Sequence, residues 1–478
     1  MTAPIKFGTE GWRAVMGKEF TVPNVRLVAQ AVAEHYRAQA SRRGPVTMAV
    51  GYDTRFRSGQ FARAVSEVLA GNGIRVLLSG GMVPTCAVSR YVRDARLPAG
   101  VMITASHNPP AYNGIKVKAG YGGSATSGAV SSIERRIGRS AVKRLAFDDA
   151  KRAGLIRTVE MLPRFLQGIR AFVNLAAVRR APLRVLVDSM HGAGDRLIER
   201  LLAGRRCRVE TLRAKRDPLF GGNPPDGNAP EPIEKNLRTL CARVRRERAD
   251  LGIANDGDAD RVAVVGPDGR RLHSGVLLCV LLQYLVETKG ETGTVATTIS
   301  NTVMVKRMAR DLGLAVREVP VGFKYIVQRM LEEDVLIGGE ETGGIGLRGY
   351  LPERDGILNG LFTLEAMAVR RQTLGAMVKD LERRYGRWHS KLQNFHLTPA
   401  AVGRLFKALA RWRPARVAGL RVREVSTMDG VKVIAEDDSW LLFRRSGTEP
   451  IVRIYAETPT LSRLPELMRA GTRLAYGA

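Results

Sequence analysis

The chain has 478 residues, more than one hydrophobic core usually serves, and its 45% hydrophobic and 26% charged residues are the balance of a soluble protein with several buried cores. That balance excludes disorder; no apolar run approaches the ~20 residues of a bilayer span, and four separated cysteines (Cys86, Cys207, Cys241, Cys279) exclude a zinc or disulfide framework. The net charge of +30 would attract nucleic acid or acidic substrates, but the excess is arginine scattered along the chain without interleaved aromatics, so solvated arginine-rich faces are expected and no nucleic-acid partner.

The N-terminus Met1-Thr2-Ala3-Pro4-Ile5-Lys6 lacks the regions of a signal peptide, so a cytoplasmic location with no membrane partner is expected. An apolar strand from Thr47 to Val50 leads into Gly51-Tyr52-Asp53, and Phe61, Val65, Val68 and Leu69 then recur at helical spacing until Gly71 and Gly73. Strand 74–78, helix 85–93 and strand 99–104 complete a β-α-β-α-β unit, hence a largely parallel sheet. The same order recurs with strands at 183–187, 208–212 and 249–254, and again at 294–298, 315–319 and 335–337. After about Arg384 the pattern changes to antiparallel strands at 420–425, 431–435, 440–443 and 451–456, with a turn at Met428-Asp429-Gly430. The expected architecture is three consecutive related α/β domains with mixed, largely parallel sheets (1–150, 151–266, 267–384) and a C-terminal α+β domain with an antiparallel sheet (385–478), around a central cleft.

Each unit carries one polar or glycine-rich loop just past an apolar strand, where open α/β sheets place ligands. In Thr104-Ala105-Ser106-His107-Asn108-Pro109-Pro110, Ser106 sits at a strand end with His107 and Lys116 nearby; a hydroxyl nucleophile needs a base or a metal-activated electrophile. In Asn255-Asp256-Gly257-Asp258-Ala259-Asp260-Arg261, carboxylates at i, i+2 and i+4 fall on one side of extended chain and can converge on a hard cation, with Arg261 beside them for a phosphate. An EF-hand is excluded, because Arg261 and Pro267 stand where that loop needs Gly and Glu; three oxygens leaving positions for water and phosphate suit Mg²⁺. Glu340, Glu341 and Thr342 on the turn 338–344 suit sugar hydroxyls, which both donate and accept. Arg444-Arg445-Ser446-Gly447-Thr448-Glu449-Pro450, with Arg453 following, offers the guanidinium groups, hydroxyls and backbone N–H groups that a phosphate monoester needs.

These four loops, with Phe7-Gly8-Thr9-Glu10-Gly11-Trp12-Arg13, Gly51-Tyr52-Asp53-Thr54-Arg55, Pro230-Glu231-Pro232 and Asp355-Gly356, resemble the α-D-phosphohexomutase family over essentially the whole chain. The resemblance implies a phosphoserine at Ser106, Mg²⁺ ligands at Asp256, Asp258 and Asp260, with Ser106 completing the metal site, and sugar contacts from Glu340 and Thr342. It further implies a distal phosphate clamp of Arg444, Ser446, Gly447, Thr448 and Arg453. Arg13, His107, Lys116 and Arg261 match residues around the transferring group, and Lys324 a substrate-contacting cation. Thr342 stands where many members have Ser, and Arg445 where Pro is common. Gly344 stands where some members have a His that assists proton transfer, which leaves Lys116, assisted by Arg13, as the expected general base and acid.

The implied activity interconverts hexose 1-phosphate and hexose 6-phosphate, with glucose or mannose as the sugar, through hexose 1,6-bisphosphate and a mobile fourth domain in a monomer or homodimer. Phosphoglucosamine mutase and phosphopentomutase are the near alternatives. A metal-dependent sugar phosphatase and a basic nucleic-acid-binding protein are the alternatives of other classes.

Overall fold

The computed structural model describes residues 5–8, 10–39, 46–204, 206–222, 227–445 and 451–476. Its first three sheets repeat one topology. In the first, Tyr112–Ala119, Ala99–Ile103, Thr47–Tyr52 and Arg75–Ser79 lie side by side, antiparallel at the first pairing and parallel at the next two. The second places Val262–Val265, Leu251–Asn255, Arg184–Asp188 and Arg208–Leu212 in the same order and sense. The third does so with Ile345–Leu347, Val335–Gly339, Thr294–Thr298 and Val316–Val319. The three loops singled out above therefore occupy one equivalent position, the connection between the third parallel strand and its antiparallel partner.

The strands that feed these loops, Ala99–Ile103, Leu251–Asn255 and Val335–Gly339, are buried at every residue, as strands covered on both faces must be. Helices of the third domain have orderly starts: Thr302, Asp355 and Thr373 each cap an N-terminus, accepting from Met304 N, from Ile357 N and Leu358 N, and from Ala376 N respectively. One apolar cluster runs continuously from Val88 and Phe165 through Val187 and Ile253 to Ile337 and Leu361, so the first three domains share a core.

The first sheet is wider than its repeat. Trp12–Val15 pairs antiparallel with Tyr112–Ala119 at one edge, and Ile156–Val159 pairs parallel with Arg75–Ser79 at the other. The boundary expected at residue 150 is thus corrected, since residues to 159 belong to the first sheet. Ile156–Val159 is a four-residue edge strand with two exposed positions, too short and polar to announce itself.

The fourth domain is an antiparallel sheet in the order His389–His396, Ile451–Thr458, Trp440–Arg445, Val431–Ala435, Leu420–Ser426, Arg416–Val417. It rests on the third domain through Trp440, Leu442 and Tyr455 against Ile299, Val303 and Val321. Glu457 accepts from Val303 N at 2.8 Å and Arg307 Nη2 donates to Asp438 at 2.6 Å across this junction. The cysteines are free thiols, three buried and Cys241 half-buried, and no helix among the described residues is long and apolar enough to cross a membrane.

Candidate active site

The serine loop and the aspartate loop meet directly. Ser106 is fully buried with φ +52°, a left-handed conformation that costs a non-glycine residue of order 1 kcal/mol or more and persists only where the surroundings enforce it. Arg55 does the enforcing: its guanidinium donates to the carbonyls of Ser106 (2.7 Å), Asn108 (2.5 Å), Pro109 (2.9 Å) and Tyr112 (3.0 Å). Asp53 pairs with it at 3.4 Å and Phe220 covers its face at 5.0 Å. Ser106 Oγ, thus aimed, donates to Asp256 Oδ2 at 2.7 Å, joining residues 150 positions apart.

Asp256, Asp258 and Asp260 are fully buried, and one oxygen from each falls within 4.8 Å of the others. Burial, then the neighbouring Asp260 and Asp258, push the Asp256 carboxyl well above the usual carboxylate range. Asp258 Oδ1 and Asp260 Oδ1 are buried without a hydrogen-bond partner among the described residues. Crowded carboxylates with orphaned oxygens are what a divalent cation relieves, and three hard oxygen ligands fit Mg²⁺.

Lys116, on Tyr112–Ala119, reaches the same cluster. Its Nζ donates to Asp258 and Asp260, each at 2.8 Å, and lies 3.3 Å from Glu10. Burial opposes its charge, but the three carboxylates outweigh burial and hold the amine well above the usual lysine range. The ammonium in this arrangement is a fixed cation and a poor proton acceptor. His107 is the opposite case: burial first, then Arg261, Arg13 and Lys116, hold its imidazole well below the usual range, and Nδ1 has no partner among the described residues. Arg13 donates to Asn108 Oδ1 at 2.9 Å, beside the serine loop, and Arg261 N donates to Asp256 Oδ1 at 3.2 Å while Arg261 Nε has no partner among the described residues.

From the third domain, Glu340 reaches this cluster through Arg354. Arg354 Nη1 donates to Glu340 Oε2 at 3.2 Å, and Arg354 Nη2 to Asp260 Oδ2 at 2.7 Å and to Glu10. Burial raises the Glu340 carboxyl against the pull of Arg354. Thr342 Oγ1 is buried and has no partner among the described residues.

In the fourth domain, Arg444 and Arg453 face each other across adjacent strands, a like-charge pairing that an anion between them would offset. Arg444 Nε donates to Asp429 at 2.7 Å, and Arg453 Nε has no partner among the described residues. Ser446, Gly447 and Thr448 lie outside the described residues. Lys324 is set apart from the bonded cluster: it lines a cavity of about 150 Å³ with Glu10, Ser124 and Glu134, its ammonium over the Tyr325 ring at 5.0 Å.

Four residues of this constellation had no role assigned from sequence: Glu10, Arg55, Lys118 and Arg354. Lys118 Nζ bonds Glu353 at 2.5 Å and Glu10 at 3.2 Å, extending the charge network behind Lys116. Lys116 and Lys118 at i, i+2 on an otherwise buried strand were the available signal, because a buried lysine requires a carboxylate partner.

Four domain models of one family, described as phosphoglucomutase/phosphomannomutase, match this chain: alpha/beta/alpha domain I over residues 4–143, domain II over 163–269, domain III over 274–385 and the C-terminal domain over 395–470. A Thermococcus kodakarensis protein named phosphoglucomutase/phosphomannomutase is 28% identical over 468 residues, covering 98% of both chains. A Methanothermobacter thermautotrophicus protein named "probable phosphoglucosamine mutase" is 33% identical over 461 residues, 96% of this chain and 94% of its own. Among solved structures, a Thermus thermophilus protein described under the name phosphomannomutase superposes with a TM-score of 0.85 at 35% identity, covering all of both chains.

Proposed function

The chain belongs to the phosphoglucomutase/phosphomannomutase family of phosphohexomutase isomerases, and from that premise we propose that it interconverts hexose 1-phosphate and hexose 6-phosphate, glucose first and mannose second, with Ser106 as phosphate carrier. The single observation that supports this most is the bond from Ser106 Oγ to Asp256, within a cluster that also holds Asp258, Asp260 and Lys116.

In this reading, phosphorylated Ser106 donates to the free hydroxyl of a bound hexose monophosphate. The bond from phosphorus to Ser106 Oγ breaks, one to the sugar oxygen forms, and the hydroxyl proton passes on balance to Ser106 Oγ. The resulting hexose 1,6-bisphosphate turns end for end in the cleft and returns its other phosphate to the serine. Asp256, Asp258 and Asp260 would hold Mg²⁺, which when bound would supply charge neutralisation at the transferring group, a large lever in phosphoryl transfer. Lys116, Arg261 and Arg13 add fixed positive charge there. Lys116, assisted by Arg13, was the expected proton carrier; its three carboxylate partners favour the cation role for it, and His107, its Nδ1 without a partner among the described residues, is a weak base because burial, Arg261, Arg13 and Lys116 all oppose its protonation. Glu340 and Thr342 take sugar hydroxyls, and the Arg444 and Arg453 pair, with Ser446, Gly447 and Thr448, takes whichever phosphate is distal.

The test is turnover of glucose, mannose, glucosamine and ribose 1-phosphates with Mg²⁺ and a trace of glucose 1,6-bisphosphate, followed by phosphorus NMR. Glucose 6-phosphate without free phosphate is the expected product. Release of free phosphate in its place would establish a phosphatase, and turnover of glucosamine 1-phosphate alone would move the assignment to the amino sugar.

A further inference from the structure

Arg354 lies in the space where a side chain at position 344 would stand. A Cβ at 344 would be 2.2 Å from Arg354 Cδ and 2.9 Å from Glu340 Oε2. Position 344 and Arg354 therefore exclude each other. The contact falls in the middle of the arginine stem, and neither end of that stem is free to move.

The backbone end is rooted. The Arg354 carbonyl accepts from Cys86 Sγ at 2.8 Å, and the next residue, Asp355, caps the helix Gly356–Arg370 by accepting from Ile357 N and Leu358 N. The guanidinium end is held by carboxylates from three domains: Glu10 from the first, Asp260 from the second and Glu340 from the third. It lies over the Phe323 ring at 5.4 Å, Arg354 is 4% exposed, and its Nε is buried without a partner among the described residues. Lys116 bonds only the first two of these domains, through Glu10, Asp258 and Asp260. Among the described residues, Arg354 is the one cation bonded to Glu340.

We propose that Arg354 is the positioning residue that sets the sugar loop against the serine and aspartate loops, and that Gly344 is required as glycine because Arg354 passes through its side-chain space. The planar fork presents two nitrogens a fixed distance apart, Nη1 to Glu340 and Nη2 to Asp260 and Glu10, whereas a lysine would offer the charge on a single nitrogen. Misplacing the sugar relative to the phosphoserine by about 1 Å costs on the order of a hundredfold in rate. The distal phosphate clamp lies on the fourth domain and is untouched by the change, so the loss belongs in kcat.

The proposal rests on the phosphohexomutase reading, which wild-type turnover of glucose 1-phosphate tests by itself. Gly344→Ala, Arg354→Ala and the double variant then form a cycle. Each single change is expected to lower kcat by about a hundredfold with KM within about threefold, and the double to match Arg354→Ala within about threefold, because once the stem is gone a Cβ at 344 meets only the released end of the Glu340 side chain. Arg354→Lys is expected to recover less than about a tenth of wild-type kcat. Near-wild-type Gly344→Ala, losses that multiply in the double, or full rescue by lysine would each overturn the proposal. Hydrogen exchange without substrate provides an arm independent of activity. Amides of residues 255–261 and 339–344 are expected to exchange at least about tenfold faster in Arg354→Ala and in Gly344→Ala, and unchanged rates there would overturn the proposal even if wild-type turnover failed.

Discussion

Replacing Arg55 by methionine keeps the length of the buried stem and removes the guanidinium. Four carbonyls, of Ser106, Asn108, Pro109 and Tyr112, then lose a charged donor, and Asp53, 1% exposed, loses its ion-pair partner at 3.4 Å. Hydrogen bonds from a charged group contribute roughly 1.5–3 kcal/mol each, but the carbonyls keep a second lone pair and some access to relaxation, so about 1 kcal/mol per bond is the working figure. Breaking a buried ion pair by removing one partner costs about 3–5 kcal/mol. Both routes count the same desolvated group and meet near 4 kcal/mol, which is the expected destabilisation of the first domain in guanidinium chloride titrations. Asp53→Asn combined with Arg55→Met should recover part of it, because no unpaired charge remains. The serine loop should also lose the constraint that keeps Ser106 left-handed, and kcat for glucose 1-phosphate should fall by about a hundredfold. A destabilisation below about 1 kcal/mol with kcat within threefold of wild type would refute the idea that Arg55 holds the nucleophile in place.

Ser106→Ala should abolish turnover while leaving circular dichroism and the melting profile unchanged, since only an Oγ bonded to Asp256 is lost; substantial mutase activity would sink the carrier assignment. Asp258→Asn should raise the Mg²⁺ concentration for half-maximal activity by at least about tenfold, and activity surviving excess chelator in the wild type would show the metal reading to be wrong. His273 caps the helix Ser274–Gln283 by accepting from Gly275 N with a neutral Nδ1, and burial, then Arg271, pull its pKa down to about 4. The unfolded chain binds more protons at this residue between about pH 4 and 6.5, so stability rises with pH through that window and is lost on acidification. At pH 5 this amounts to about 2 kcal/mol relative to pH 7.5, and His273→Asn should flatten that part of the profile; an identical profile in the variant would assign the slope to other groups.

Much of the site was legible because each loop carries its chemistry in consecutive residues. The three aspartates were expected to converge on one side of extended chain; the loop gathers them by turning instead, Ala259 N bonding Asp256 O at 3.0 Å with Ala259 left-handed at φ +58°, while the Ser106 hydroxyl follows an apolar strand and so lies at a strand end. The strands flanking those loops were equally legible, being apolar on both faces. Strands that were not, such as Tyr112–Ala119 and Trp12–Val15, owe their burial to partners: Lys116 and Lys118 are inside only because Glu10, Asp258, Asp260 and Glu353 are there to meet them.

The amino-acid sequence by itself determined the domain classes and the family, and it singled out the candidate carrier serine, cation ligands and sugar and phosphate loops, since each is written within a few neighbouring residues. Tertiary structure alone decided how those loops meet. Arg55 and Ser106 are 51 positions apart, Ser106 and Asp256 150 apart, and Arg354 and Glu10 344 apart. Such contacts follow from three sheets folding to one topology around a shared core, and no local pattern records them. The same packing explains why Gly344 reads as a missing side chain in the sequence and as an occupied space in the fold.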